Sequence, residues 1–179
     1  MKNIKVELTG LTPILMNSPK GMIEKEQNPI VSTTKNYDLQ EDAKRLLYIN
    51  DKGLFVPAEA IKKAVIDASS YKKIGKYAAN NIIAGGVFVI PSEISLGTKN
   101  YELDIRTVVI KRARIVKARP KINSWKINFV ISYNENLIGD SKIIKQVLTE
   151  AGQRIGILDF RPQKKGSFGM FKITKWEEQ

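Results

Sequence analysis

The sequence has no cysteine and no histidine among its 179 residues. Without cysteine, disulfide bonds and thiolate zinc sites cannot form. Without histidine, the usual catalytic triads, histidine general bases and zinc hydrolase sites are excluded. No apolar run is long enough to span a bilayer, and no Walker-type phosphate loop occurs. We therefore expect a cytoplasmic protein with no cofactor, no metal and no membrane contact.

The charge balance is strongly basic. There are 30 Lys and Arg residues against 18 Asp and Glu residues, a net charge of +12. Such a field favours polyanionic partners, and nucleic acid is the most general of these. Because 42% of the residues are hydrophobic, the chain is long enough to bury one substantial core. We predict a single nucleic-acid-binding domain over 1–179, in which 14–52 is an insertion made of a loop and a short helix.

The first half of the chain has one strand pattern and two helix patterns. Apolar residues alternate with polar ones at Ile4, Val6 and Leu8, which predicts a half-buried first strand. The pattern is lost over 16–36, which predicts a long surface loop.

A capping-box spacing then opens a short helix at Asp38, expected to run through about Leu47. Pro57 precedes apolar residues at helical spacing, and this second helix is expected to end near Tyr71.

The second half supplies four more strands and a helix. Residues 81–90 are apolar and predict a strand, and the alternating runs 105–117 and 124–133 predict an antiparallel hairpin. A helix is expected over 141–151 and a last strand over 168–176. The order predicts an α+β fold, a modified ferredoxin-like or RNA-recognition-like βαββαβ core, with a long insertion after the first strand and a basic β-hairpin.

The predicted hairpin carries the densest positive charge. Between Ile105 and Lys126 there are eight basic residues and no acid. Arg106, Arg112 and Arg114 share one sequence parity and Lys111 and Lys117 the other, so no single basic face is expected. A solvated strand face explains any one of these charges, but their mutual repulsion favours a bound anion.

Glycines and cations are concentrated in residues 152–173, which we call the glycine-rich segment. Glycine allows close backbone approach, and cations beside exposed N–H groups attract phosphate, so one interpretation is a phosphate-contacting loop. In the other interpretation, Gly152 or Gly156 ends a helix and Gly166 and Gly169 shape a turn before the last strand. The residues alone leave both open.

Three carboxylates, Asp38, Glu41 and Asp42, follow the long loop. Oxygen ligands of this kind can hold a divalent metal, but helix capping explains Asp38 and Glu41 equally well and is the interpretation we favour. We therefore expect no enzymatic activity.

Three segments together resemble the RAMP superfamily, the backbone subunits of CRISPR effector complexes and their relatives. Residues 6–15, VELTGLTPIL, are similar to its first strand, which ends in T-x-x-P-L. Residues 53–62, GLFVPAEAIK, are similar to its I-P-G-S-S-L-K-G motif, and 152–171 to its C-terminal glycine-rich segment. The helix motif departs from the family pattern at Ala58, Glu59, Ala60 and Lys63, where glycine, two serines and glycine would be expected.

The resemblance implies an RNA-recognition-like core that binds single-stranded nucleic acid and often assembles side by side with copies of itself. Some relatives cut RNA with an aspartate in the loop after the first strand. Asp38 and Asp42 fall in the comparable region, but no local motif fixes the correspondence. The short chain also fits a stand-alone protein of a virus or mobile element.

Our hypothesis from the sequence is non-catalytic binding of single-stranded RNA or DNA, with RNA favoured over DNA, by a homo-oligomer along the strand. The alternatives are a metal-dependent ribonuclease that uses the loop aspartates, and a protein-interaction module that mimics or replaces a subunit of a CRISPR-type complex. Phe160, Phe168 or Tyr101 are candidates for stacking on bases. The predicted binding residues are Lys62, Arg106, Lys111, Arg112, Arg114, Lys117, Arg119, Lys121, Arg161, Lys164, Lys165 and Phe168.

Overall fold

The computed structural model of the chain describes residues 1–21, 38–110 and 112–179. The predicted loop at 16–36 lies mostly outside the described residues, and so does Lys111. The described part combines helices with antiparallel sheets, which confirms the predicted α+β class.

The strands and helices have the following bounds. The strands are β1 (Lys2–Gly10), β2 (Ile14–Leu15), β3 (Ile49–Asn50), β4 (Gly53–Pro57), β5 (Lys73–Ile74), β6 (Tyr77–Ala78), β7 (Val87–Ile90), β8 (Glu93–Ser95), β9 (Glu102–Ile110), β10 (Ala113–Ile122), β11 (Lys126–Tyr133) and β12 (Phe171–Glu178). The helices are α1 (Leu39–Lys44), α2 (Ala58–Ala68), α3 (Ala79–Gly86), α4 (Glu135–Ile138) and α5 (Ser141–Glu150). Shorter helical turns span Ser69–Tyr71, Ala151–Ile155 and Pro162–Lys164.

The central sheet has four antiparallel strands in the order β12, β1, β11, β7. The alternation predicted for β1 is confirmed, because Ile4, Val6 and Leu8 are all buried. They share one hydrophobic core with residues of α2 and α5, such as Ile61 and Leu148. The two longest helices therefore cover the apolar face of this sheet.

The hairpin differs from the prediction. The run 105–117 does not pair with 124–133; instead β9 folds back on β10, and β11 joins the central sheet between β1 and β7. The chain reverses between the paired Ile110 and Ala113, where Arg112 has φ 69°. Two-residue hairpin loops need such positive φ values. Arginine gives no sign of this in the sequence, so the turn was missed.

The strand predicted over 81–90 is confirmed only in its second part. Its first part belongs to α3, where Ala79 and Ile83 are buried, and only β7 is extended. A continuous apolar run does not distinguish a buried strand from a buried helix. Gly86 is the last residue of this helix.

The remaining elements begin close to where the sequence placed them. Asp38 is the N-cap of α1, Pro57 precedes α2, and Asp140 is the N-cap of α5. The predicted insertion contains β2, α1 and β3, of which β2 pairs with β10. No helix of the described residues is long and apolar enough to cross a bilayer.

Candidate nucleic-acid interface

The base of the β9–β10 hairpin is joined to the glycine-rich segment by a buried ion pair. Arg119 Nε on β10 lies 2.9 Å from Asp159 Oδ2, and both side chains are nearly buried. Asp159 also forms a β-bridge with Leu15, whose carbonyl accepts from the Asp159 N–H at 3.1 Å. Two basic segments that are 40 residues apart in the sequence are therefore held side by side.

A second link is aromatic. The Arg106 guanidinium on β9 lies 5.0 Å from the ring centroid of Phe168 and 5.6 Å from that of Phe160, and the two rings pack 6.0 Å apart. Asp104 holds the other side of Arg106 at 2.7 Å. Because Phe168 is only 7% exposed, its ring packs within the protein and is not open to a base.

Two glycines of this segment are needed because backbone packs against backbone. A Cβ on Gly166 would lie 1.7 Å from the carbonyl oxygen of Phe160. A Cβ on Gly169 would lie 2.0 Å from that of Ile157, and Gly169 has φ +73°. These contacts favour the interpretation in which the glycines shape the segment itself. The glycines then present the neighbouring cations on a fixed backbone.

A cleft of about 280 Å³ separates the first turns of α2 from residues 158–164, and we call it the groove. Its cations are Lys63 on α2 and Arg161 and Lys164 on the opposite wall. Of its acids, Asp159 is neutralised by Arg119 and Glu59 lies on α2. The remaining lining residues are Asn17, Tyr48, Pro57, Ala60, Ala64 and Leu158.

The cations of the glycine-rich segment differ in whether hydrogen bonds within the protein hold them. Arg161 donates to the carbonyl of Leu158 at 2.9 Å and to Gln163 Oε1 at 2.8 and 3.1 Å. Lys164 and Lys165 are exposed and make no ion pair within the described residues. Arg161 is thus preoriented, whereas the two lysines are available to an anion.

Tyr48 contributes an aromatic side chain to the lining of the groove. Its ring packs edge-on against Phe55, and its hydroxyl donates to the carbonyl of Asn17. Burial, and to a lesser extent the charge of Asp159, raises the pKa of Tyr48 above its ordinary value. The phenol therefore stays protonated at neutral pH, where its hydroxyl donates to Asn17.

The hairpin register corrects the expected distribution of charge. Lys117 pairs directly with Arg106, and directly opposed residues of an antiparallel pair share a face. Arg119 and Lys121 lie on the same face. The expectation that Arg106 and Lys117 lie on opposite faces was therefore wrong. The tight turn reverses the sequence parity between the two strands. Arg114 lies opposite Val109, on the other face.

Most of the cations on this face already have polar neighbours. Lys121 lies 3.2 Å from Glu102, and Lys117 donates to Asn17 at 3.3 Å. A hydrogen bond from Asn123, followed by the contact with Lys121, holds the pKa of Glu102 below its usual value. Arg112 and Arg114, near the hairpin tip, are exposed and make no ion pair within the described residues.

On α2 the structure distinguishes two adjacent lysines. The Lys62 ammonium lies 4.9 Å from the ring centroid of Phe88 on β7, whereas Lys63 lines the groove. The sequence led us to predict Lys62 as a binding residue, whereas Lys63, Tyr48 and Asp159 were not predicted to belong to the site. The helical spacing Glu59, Lys63, Asp67 contained a signal, because these residues lie beside the buried stripe of α2.

The open face of the central sheet is polar along its two middle strands. On β1 and β11 it carries Lys5, Glu7, Lys126 and Asn128. Glu7 accepts from Thr174 at 2.7 Å and lies 3.3 Å from Lys126, and together these contacts lower its pKa. On this face the two middle strands therefore lack the aromatic residues with which RNA-recognition motifs stack bases, although Phe88 of β7, opposite Ser132, lies on the same face and is 44% exposed.

The predicted acidic cluster has a structural use. Asp38 Oδ1 accepts from the N–H groups of Gln40 and Glu41 at 2.9 and 3.4 Å and so caps α1. Glu41 lies 3.8 Å from Lys44. Within the part of the chain that the structure describes, no group of three or more potential ligands is arranged to hold a metal ion.

No protein-family model matches the chain, and neither does any curated protein. Among solved structures, a chain in the cryo-EM structure of the Type III-B Cmr-beta bound to cognate target RNA has the same fold, with a TM-score of 0.62 and 18% identity. The match covers 99% of this chain but only 60% of that one.

Proposed function

We propose that this protein binds single-stranded RNA without cleaving it, through the groove and the adjoining hairpin, as a relative of the RAMP superfamily. The shared fold supports this, since that solved chain belongs to a type III-B assembly bound to its target RNA. We also propose a modified ferredoxin-like core. In support, its four main strands, numbered along the chain, have the order 4-1-3-2, and α2 and α5 lie in the two crossovers.

The observation that carries the proposal is the joining of the hairpin to the glycine-rich segment. The Arg119–Asp159 pair and the packing of Arg106 on two phenylalanines bring the cations of the hairpin and those of the glycine-rich segment together. Lys63, Arg161 and Lys164 then line one groove, next to the exposed Lys165. A positively charged groove that follows a backbone is typical of single-strand binders.

The contact set that we propose is therefore smaller than the set predicted from sequence. Arg119 and Phe168 are buried and maintain the site, and Arg106 is held between Asp104 and two rings. Lys63, Arg161, Lys164 and Lys165 contact phosphates, and Arg112 and Arg114 extend the contact along the hairpin.

A second candidate function is docking to a protein, and exposed apolar residues on the hairpin favour it. Ile105, Val109 and Val116 are 52%, 67% and 46% exposed, and all lie on the face that carries Arg114. Exposed apolar patches commonly mark interaction sites. A module that occupies a subunit position in a larger complex, or a homo-oligomer along one strand, would use this face.

Salt dependence tests the main proposal. We expect the logarithm of the affinity for an unstructured RNA oligonucleotide to fall linearly with the logarithm of salt concentration, by about 0.7 per neutralised phosphate. With the six cations of the proposed contact set on phosphates, the slope would be about −4. Fluorescence anisotropy titrations at several salt concentrations measure it. A flat dependence would refute the electrostatic groove.

We also expect no hydrolysis of RNA in magnesium or manganese. Asp38 is used as a helix cap, and the chain has no histidine or cysteine that could act as a general base. Gel analysis of a labelled RNA after prolonged incubation checks this. Metal-dependent cleavage that disappears in Asp38→Ala or Asp42→Ala would establish the ribonuclease alternative.

A further inference from the structure

A second contact region lies outside the groove, in residues 71–77, which we call the 71–77 hairpin. Its sequence, YKKIGKY, has two tyrosines, three lysines and no acid. β5 and β6 pair here, with Ile74 opposite Tyr77, and Gly75 takes φ +61° in the turn between them. Tyr71 is the last residue of the short helical turn that follows α2, and β5 begins two residues after it.

The two tyrosines are unusually exposed. Tyr71 is 84% exposed and Tyr77 is 71% exposed, the two largest values among the exposed large hydrophobic side chains of the described residues. Aromatic rings normally bury most of their surface, because removing it from water stabilises the fold. Two open rings, one on the helical turn before β5 and one beside the turn between β5 and β6, therefore indicate a ligand that covers them.

The ring of Tyr71 is backed by a cation. The Arg154 guanidinium lies 5.2 Å from its centroid, and Arg154 Nη2 donates to the carbonyl of Ala68 at 3.1 Å. Because this bond fixes the guanidinium, the tyrosine ring has one supported side while most of its surface remains open. A flat group that stacks on Tyr71 would gain from both the ring and the nearby positive charge.

The lysines of the hairpin supply charge for phosphates. Lys72 is paired with Glu150 at 2.7 Å. Lys73 and Lys76 are exposed, and neither forms an ion pair within the described residues. Stacking rings alternating with free cations are the combination by which proteins hold single strands.

The 71–77 hairpin is also adjacent to the groove. Gln163, on the turn that carries Arg161 and Lys164, donates to Asp67 Oδ2 on α2 at 2.9 Å. Tyr71 follows Asp67 by four residues, which is about one helical turn or roughly 6 Å along the axis. A nucleic-acid strand that leaves the groove past Gln163 therefore reaches Tyr71 next.

We infer that the 71–77 hairpin is a base-stacking site for the same single strand, with Tyr71 and Tyr77 on bases and Lys73 and Lys76 on phosphates. This inference rests on the proposed function. It adds a mode of contact that the groove lacks, because stacking depends on base planes and little on salt.

The test compares Tyr71→Ala/Tyr77→Ala with Tyr71→Phe/Tyr77→Phe in titrations of an unstructured RNA long enough to extend beyond the groove. We expect the alanine pair to weaken binding about tenfold or more and to leave the salt slope unchanged, since no charge is removed. The phenylalanine pair, which keeps the rings, should bind within about twofold of the wild type. Thermal unfolding should be nearly the same for all three, because exposed substitutions have small effects.

A charge variant completes the design. Lys73→Ala/Lys76→Ala should lower the salt slope by about 1.4 in magnitude, whereas the tyrosine variants should not. Wild-type affinity in the alanine pair would overturn the stacking site while the groove remained supported by salt-dependent binding. An equal loss in the phenylalanine pair would show that the hydroxyls matter instead of the rings. If the wild-type protein fails to bind RNA at any salt concentration, the proposed function fails first and the inference with it.

Discussion

Replacing Arg161, Lys164 and Lys165 together by alanine should weaken the binding of an unstructured RNA about 100-fold at 0.1 M salt. Each phosphate contact contributes about 0.7 to the salt slope, so three contacts account for roughly two powers of ten between 1 M and 0.1 M salt. The slope itself should fall by about 2 in magnitude. Anisotropy titrations over a salt series measure both quantities.

The stability of this variant should change little. Lys164 and Lys165 are exposed and have no ion pair among the described residues, whereas Arg161 bonds to Leu158 and Gln163. Losing the Arg161 bonds should cost about 1 kcal/mol of unfolding free energy. Lys164→Ala/Lys165→Ala isolates the binding effect, with an expected loss of about 25-fold at 0.1 M salt.

Two exposed lysines elsewhere provide the matched control. Lys99→Ala/Lys142→Ala removes the same charge from positions that do not line the groove. If this control weakens binding as much as Lys164→Ala/Lys165→Ala, general positive charge drives association and the groove has no special role. Wild-type affinity in the triple variant would end the assignment of the glycine-rich segment.

Arg119→Ala should be the most destabilising of the cation variants. The substitution leaves Asp159 nearly buried without its partner, and removing one member of a buried ion pair typically costs about 3–5 kcal/mol. For a chain of this length the melting temperature should fall by roughly 10 °C. Urea denaturation followed by circular dichroism gives the free energy of unfolding.

A second variant separates a structural role of Arg119 from direct contact with RNA. Arg119→Met/Asp159→Leu replaces the ion pair with an apolar pair and should recover most of the lost stability. If Arg119 only holds the hairpin to the glycine-rich segment, RNA affinity should recover as well. A stable double variant with a salt slope lower by about 0.7 would show instead that Arg119 contacts a phosphate.

The sequence alone identified the elements whose signal is local. The first strand follows from the alternation of Ile4, Val6 and Leu8, because only alternate residues of a half-buried strand face the core. The start of α1 follows from Asp38, whose carboxylate reaches N–H groups only two and three residues away. Net charge favoured a polyanionic partner, since composition does not depend on the fold.

Errors arose where the outcome depends on distant residues. The run 105–117 carries an alternating pattern that does not reveal the turn at Arg112, so its partner strand was misassigned. That one turn decided which charges share a face. Because of its length, even-numbered residues of β9 lie opposite odd-numbered residues of β10 and share a face with them. Residues 81–86 are apolar enough for either a strand or a helix, and packing in the core decided for the helix.

The sequence thus determined the charge, the first strand, the capped helix starts and the absence of thiol and imidazole chemistry. The tertiary structure decided which of the basic residues are available. Arg119 and Lys164 look equivalent in sequence, yet one is buried against Asp159 and the other is exposed beside the groove. The difference comes from a carboxylate 40 positions away, and no local pattern encodes a contact between residues that only folding brings together.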